Sequence, residues 1–205
     1  MKIIQDFIPI GRSNRPQTRL HPRYITVHET DNPNVGANAL AHARYVKGSD
    51  AIRRAVSWHY TVDDTYIIQH LPHNEVGWHA GKKGNAVSIG IELCVNKDGN
   101  FEQTVKNAQW LILKLMNELN IPIDRVVPHR FWTNKNCPRT LLPVFNEFKQ
   151  GVIQLAKEKE PSPWAKSSWE KAVKANVLDG TNPKDPVTRE QLAVILDRLG
   201  MLTRS

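Results

Sequence analysis

The sequence predicts an α/β domain followed by a small helical module. Three observations carry this reading. Alternating, β-branched stretches such as Tyr24–His28 and Ser88–Val95 recur between stretches of helical periodicity, the pattern of a sheet with helices packed on its faces. The pattern stops at Glu158-Lys-Glu-Pro-Ser-Pro163, where two prolines, a serine and a charge cluster read as a linker. A second, shorter helical pattern follows. The expected division is therefore residues 1–157, a linker at 158–163, and a module at 164–205.

Along the first domain, Tyr24, Thr26 and His28 share one strand face, and Ile25 and Val27 take the other. Residues 35–47 are alanine-rich and read as a helix, with Gly48 as its stop. Trp58–Val62 and Thr65–Gln69 flank Asp63-Asp64 as a hairpin. Ser88–Val95 is a strand closed by the turn Asn96-Lys-Asp-Gly-Asn100. From Thr104 to Leu119, Val105, Ala108, Leu111, Ile112, Leu115 and Leu119 recur at helical spacing. Arg125–His129 is a short extended segment, and a last helix runs from about Leu142 to Lys157. In the module, Ser162-Pro163 opens a helix over Trp164–Asn176. Thr188-Arg-Glu-Gln191 is a capping box for a helix to Leu199 that Gly200 closes. A two-helix unit this small buries little core and is marginal alone.

Composition narrows the function classes. Hydrophobic residues are 40% and charged residues 23% of the 205, which excludes a disordered chain. No apolar run approaches the ~20 residues that span a bilayer. The N-terminus is too short and too interrupted by charge for a signal-peptide core, so a cytoplasmic start is expected. Cys94 and Cys137 cannot build a disulfide framework, and that compartment favours free thiols or a metal thiolate. The net charge of +8 implies a polyanionic partner, either nucleic acid or a bacterial wall with its anionic polymers. The basic residues are spread, and no nucleic-acid-binding motif is present, so nucleic acid is the weaker choice.

His28 at the end of one strand, His129 after another and Cys137 in the following loop form a candidate zinc site. Imidazole and thiolate are zinc's preferred donors, and three protein ligands leave a fourth position for water, as in catalytic sites. On residue types alone, ordinary histidines remain the alternative, since the chain has eight.

Five segments occur in order: Tyr24-Ile-Thr-Val-His-Glu-Thr30, Ser57-Trp-His-Tyr-Thr-Val-Asp-Asp64, Val76-Gly-Trp-His-Ala-Gly81, Ser88-Ile-Gly-Ile-Glu-Leu93, and Val127-Pro-His129 with Lys135-Asn-Cys-Pro-Arg139. Together they resemble the type 2 N-acetylmuramoyl-L-alanine amidases, a family that includes phage and prophage endolysins and peptidoglycan recognition proteins. The resemblance covers roughly residues 1–155. It implies a central mixed β-sheet flanked by helices, with one zinc in a surface groove held by His28, His129 and Cys137. It also implies hydrolysis of the amide between N-acetylmuramic acid and L-alanine. Glu92 matches the family's catalytic glutamate, and strand alternation places it on one face with Gly90 and Cys94. Lys135 matches a lysine that faces the substrate carbonyl in some members. Trp58 stands where others carry an aromatic, often tyrosine, and either lines the groove or simply packs. Trp78 and His79 are expected to line the groove for the peptide stem. Cys94 reads as a small buried hydrophobe.

The segment after the linker resembles a single S-layer homology repeat, on Trp164–Val173, Val177-Leu-Asp-Gly-Thr-Asn-Pro183 and Pro186–Leu196. Such repeats usually occur in threes and bind secondary cell-wall polymers, so a wall-tethering role is implied. The expected partners are peptidoglycan and secondary wall polymer, with no nucleic acid and no membrane insertion. The expected biology is that of an endolysin held in the host cytoplasm until a holin releases it to the wall. The rival reading is a non-catalytic peptidoglycan-binding protein on the same fold.

Overall fold

Two adjacent strands, β2 (Tyr24–Glu29) and β5 (Ser88–Leu93), form the centre of the sheet on which everything else is laid. Ile25, Val27, Ile89, Ile91 and Leu93 are fully buried, as expected of strands covered by helices on both faces. The computed structural model describes residues 2–202. They divide into two compact units, Met1–Leu155 and Ala156–Ser205.

In the first unit, β1 (Ile3–Gln5), β3 (Tyr60–Val62), β4 (Ile67–Gln69) and β6 (Val126–Pro128) complete a six-stranded sheet in the order β1-β4-β3-β5-β2-β6. Strands β3, β5, β2 and β6 run parallel, β4 pairs antiparallel with β3, and β1 runs parallel to β4. The sheet is mixed, as the resemblance implied. The register sets His28 beside Glu92 and Glu92 beside Thr61, so one row crosses three strands.

The helices differ from expectation mainly at their starts. Helix α1 (Ala39–Val46) begins later than position 35 because the Asn38 side chain accepts from Ala41 N–H at 3.0 Å and fixes the first turn there. Gly48 ends it, as predicted, and then caps a short α2 (Ser49–Arg53) that periodicity did not reveal. The predicted hairpin is present as β3 and β4. After α3 (Gly81–Asn85), helix α4 (Phe101–Leu119) starts three residues before Thr104, since the Asn100 side chain caps it through Gln103 N–H at 3.0 Å. Of the predicted stripe, Ala108, Leu111, Ile112 and Leu115 are buried, while Val105 and Leu119 are half-buried. Each large apolar side chain so buried contributes about 1.5–3 kcal/mol. Helix α5 (Arg130–Thr133) follows β6, and α6 (Phe145–Lys159) runs two residues beyond the expected Lys157. No helix of the described residues is long and apolar enough to cross a membrane.

The second unit holds α7 (Lys166–Lys174) and α8 (Arg189–Arg198). Ser162-Pro163 does not open α7. The helix starts at Lys166 with Ala165 as N-cap; alanine has no side-chain acceptor to cap it, and Ala165 N–H donates to Ser162 O at 2.9 Å in the turn before. The capping box of α8 is present, with Thr188 and Gln191 exchanging bonds of 2.9 and 3.1 Å. Leu199 closes that helix, and Gly200 follows at φ +69°. No residue of either helix is buried. Trp169, Leu178, Val187, Val194 and Ile195 line a groove within this unit.

Two fully buried histidines stitch the first unit behind the sheet row. Thr61 accepts from Trp58 Nε1–H at 2.7 Å and donates to His70 Nε2 at 2.8 Å, while His70 Nδ1–H donates to Asp6 O at 3.4 Å. His59 donates to Glu75 O at 2.9 Å and accepts from Gly90 N–H at 3.0 Å. Both rings are therefore neutral, and burial lowers their pKa values from 6.5 to about 3 for His59 and about 4 for His70. As pH falls below about 6.5, the unfolded chain binds protons that the folded chain refuses, so stability falls. Urea unfolding of chelator-treated protein should show stability declining from pH 7 towards 5, by up to about 1.4 kcal/mol per pH unit for each ring. A flat profile would mean that these rings are charged in the native state.

Candidate metal centre and active site

Parallel strands carry their ligands at their carboxyl ends, and this sheet gathers its polar side chains there. His28 is the penultimate residue of β2, Glu92 the penultimate residue of β5, and His129 comes directly after β6. His129 N–H donates to Val27 O at 3.1 Å, which extends the β2–β6 ladder and holds the second histidine beside the first. The chain then turns through α5 and Asn134, at φ +59°, and returns so that Cys137 O accepts from Arg130 N–H at 3.0 Å. The loop is locked from below by Glu29. Its buried carboxylate accepts from Thr140 N–H and Leu141 N–H at 3.0 Å each, directly after the Cys137 turn.

The three predicted donors meet. One ligand atom each from His28, His129 and Cys137 lies within 4.8 Å of the others, and all three residues are buried. Cys137 Sγ is 3.8 Å from His28 Nδ1, and the two imidazole rings stand edge to face at 4.6 Å. Burial lowers the pKa of His28 well below the ordinary value and that of His129 to about 4, so both offer a neutral lone pair. Burial also pushes the Cys137 thiol up to about 12, with the Glu92 charge adding to it. His129 Nδ1 is buried without a hydrogen-bond partner, a cost of about 1–3 kcal/mol unless something accepts its lone pair. Two neutral imidazoles, one of them with an unpartnered nitrogen, and one thiol make a set that suits a zinc-like ion.

Glu92 Oε1 is 3.9 Å from His28 Nδ1, and Glu92 Oε2 is a second buried atom with no partner. Burial raises this carboxyl from 4.5 to about 8, although the Lys135 charge pulls it down. Lys135, Trp58, Trp78 and His79 line the same groove, of about 440 Å³, as His28, His129 and Glu92. Trp58 is nonetheless buried and packs with Ile8, Val46 and Leu71, so one residue serves wall and core. Trp78 is half-buried, its backbone tied to Ser57. His79 has both ring nitrogens engaged by the protein, Nδ1 with His28 Nε2 at 2.9 Å and Nε2 with Ser88 O at 3.4 Å. Cys94 packs with Ala39, Ala43 and Ile68, away from the donor cluster.

Glu29, Asn85 and Gly90 were not anticipated. Asn85 Oδ1 accepts from His79 N–H and Ala80 N–H at 2.9 and 2.7 Å. A Cβ at Gly90 would fall 2.7 Å from the His79 ring. Glycine inside a strand marks such close approaches, so Gly90 carried a legible signal. Glu29 and Asn85 did not, because loop anchoring leaves no periodic trace.

Residues 17–140 match the family described as N-acetylmuramoyl-L-alanine amidase. N-acetylmuramoyl-L-alanine amidase XlyA of Bacillus subtilis (strain 168) is 56% identical over 155 residues, which are 74% of this chain and 51% of that protein. N-acetylmuramoyl-L-alanine amidase CwlH of the same organism is 53% identical over 154 residues, 73% of this chain and 60% of that one. This chain thus spans between about half and three-fifths of these relatives. The solved catalytic domain of XlyA superposes with a TM-score of 0.71 at 55% identity, covering 74% of this chain and 99% of that one.

Because Glu29 satisfies two backbone donors with one carboxylate, Glu29→Ala should cost about 1–3 kcal/mol for the donors left unpaired. Equilibrium unfolding in urea measures this. An unchanged midpoint would show that the Cys137 loop does not depend on Glu29.

Proposed function

The chain belongs to the N-acetylmuramoyl-L-alanine amidase family, and we propose that it is a zinc-dependent hydrolase of the amide between N-acetylmuramic acid and L-alanine in bacterial peptidoglycan, acting as an endolysin. The observation that carries this reading is the meeting of His28, His129 and Cys137 beside a carboxylate with a free buried oxygen. One zinc ion per chain would be held by those three side chains. When bound, it supplies a water of lowered pKa and polarises the scissile carbonyl.

The remaining work falls to side chains of this protein. Glu92, in the ionised form that the Lys135 charge favours against burial, takes the proton of the attacking water on its carboxylate as the water oxygen bonds to the carbonyl carbon. It then delivers that proton to the alanine nitrogen as the C–N bond breaks. Water ends divided between the lactyl carboxyl and the new amine. The Lys135 ammonium offsets negative charge that develops on the carbonyl oxygen. Trp58 and Trp78 give the groove apolar walls against which the peptide stem lies. A non-catalytic binding protein would need neither a proton acceptor poised beside His28 nor the three-donor set.

Metal analysis and turnover on the same variants test the assignment. Cys137→Ser should be purified without zinc and without lytic activity. Glu92→Gln keeps the shape and should keep zinc near one per chain, yet lose about 10²–10⁴-fold in rate as general-base removal does. Zinc retained by Cys137→Ser removes that ligand from the set. Zinc lost from Glu92→Gln makes Glu92 a ligand.

We further propose that residues 164–205 form a wall-binding module resembling one S-layer homology repeat, which raises local substrate concentration by tethering. A chain ending at Lys159 should cleave small soluble muropeptides normally and sediment less with intact walls. Equal sedimentation of truncated and full-length protein would reject the tether.

A further inference from the structure

We infer that His79 is a positioning residue that fixes the tautomer and tilt of His28, so that His28 turns a bare Nδ1 towards the metal position. The inference rests on the metal reading above and adds a residue to it. Ser88 O is a carbonyl and can only accept, so the contact from His79 Nε2 at 3.4 Å places the ring proton on Nε2. His79 Nδ1 then carries a lone pair. The 2.9 Å contact between that nitrogen and His28 Nε2 must be donated by His28. A neutral imidazole carries one N–H, so His28 Nδ1 is left bare. That nitrogen lies 3.8 Å from Cys137 Sγ and 3.9 Å from Glu92 Oε1. The opposite pair of tautomers would set the His79 Nε2 lone pair against the Ser88 carbonyl in a buried place.

The position of His79 is built in. Asn85 Oδ1 holds its backbone N–H at 2.9 Å, and the two histidine rings meet edge to face at 5.0 Å and 82°. The ring occupies the space left by the missing side chain of Gly90, where a Cβ would lie 2.7 Å from both Cγ and Nδ1. Gly90 lies opposite Thr26 on β2, one step along the same strand face from His28. The strand thus leaves out one side chain where the orienting ring must stand. Partners of this kind fix ring orientation at metal sites, and their loss typically costs 10–100-fold in affinity.

The test compares zinc affinity, by chelator competition on full-length protein, across His79→Leu, His79→Asn and Gly90→Ala. It adds ring-nitrogen NMR shifts of His28 in the metal-free state. Leu removes the acceptor and keeps bulk, so His79→Leu should bind zinc about 10–100-fold more weakly and show mixed His28 tautomers. Asn can place its carbonyl oxygen near the former Nδ1, so His79→Asn should restore affinity and the single tautomer. Gly90→Ala displaces the ring from another strand and should weaken zinc binding as His79→Leu does. Wild-type affinity with a single tautomer in His79→Leu would overturn the inference. If His79→Leu does not fold, a folded His79→Asn that binds as weakly as Gly90→Ala would overturn it equally. A wild-type chain that takes up no zinc refutes the metal site itself, while the tautomer of the metal-free protein still decides the relay.

Discussion

The register between β2 and β5 is the constraint on which the rest of this unit depends. It sets His28 beside Glu92, and the β2–β6 pairing continues the line to His129. Side chains alternate along a strand, so a slip of one residue would turn His28 into the apolar layer and bring Val27 to the groove. The same slip would also take Ile25 out of the apolar layer that it shares with Ile89 and Ile91. The hydrophobic pattern that makes the sheet stable thereby also aligns its polar row. Selection for a well-packed core and for a gathered donor set act on one geometric variable.

A row of buried polar side chains is expensive, and hydrogen bonds meet most of the cost. Trp132 Nε1–H donates to Thr26, Thr26 donates to Ser88, and Ser88 donates to Gly84 O, at 2.9, 2.9 and 2.7 Å. That chain joins α5, β2, β5 and α3 beneath the donor cluster. Thr61 and His70 perform the same task on the β3 side. His129 Nδ1 and Glu92 Oε2 remain unsatisfied within the cluster itself. Thr30 Oγ1, on the wall of the same groove, is also without a partner, so these unsatisfied atoms gather where a ligand would meet them.

Much of this was legible in the sequence, for reasons that differ by element. The central strands and α4 have strong periodicity, since Ile89, Ile91 and Leu93, or Ala108, Leu111, Ile112 and Leu115, all face apolar surroundings. The donors were legible because imidazole and thiolate are rare, chemically specific groups. Strand β1 was missed because three residues, mostly exposed, gain their place only by pairing with β4. Helix α5 is too short for a period. Ser162-Pro163 looks like a helix start, yet a turn ending at Ala165 intervenes, and local propensity yields to the hydrogen bond actually made. The role of Glu29 is a contact across more than a hundred positions, which no local pattern encodes.

The core of the first unit closes upon itself: its last buried apolar side chain is Val152, before the division at residue 155. Helices α7 and α8 contribute no buried residue to any core. Every buried apolar side chain on which the sheet and its row of histidines rest thus lies upstream of residue 155, and the stretch after it is held by no core of that kind.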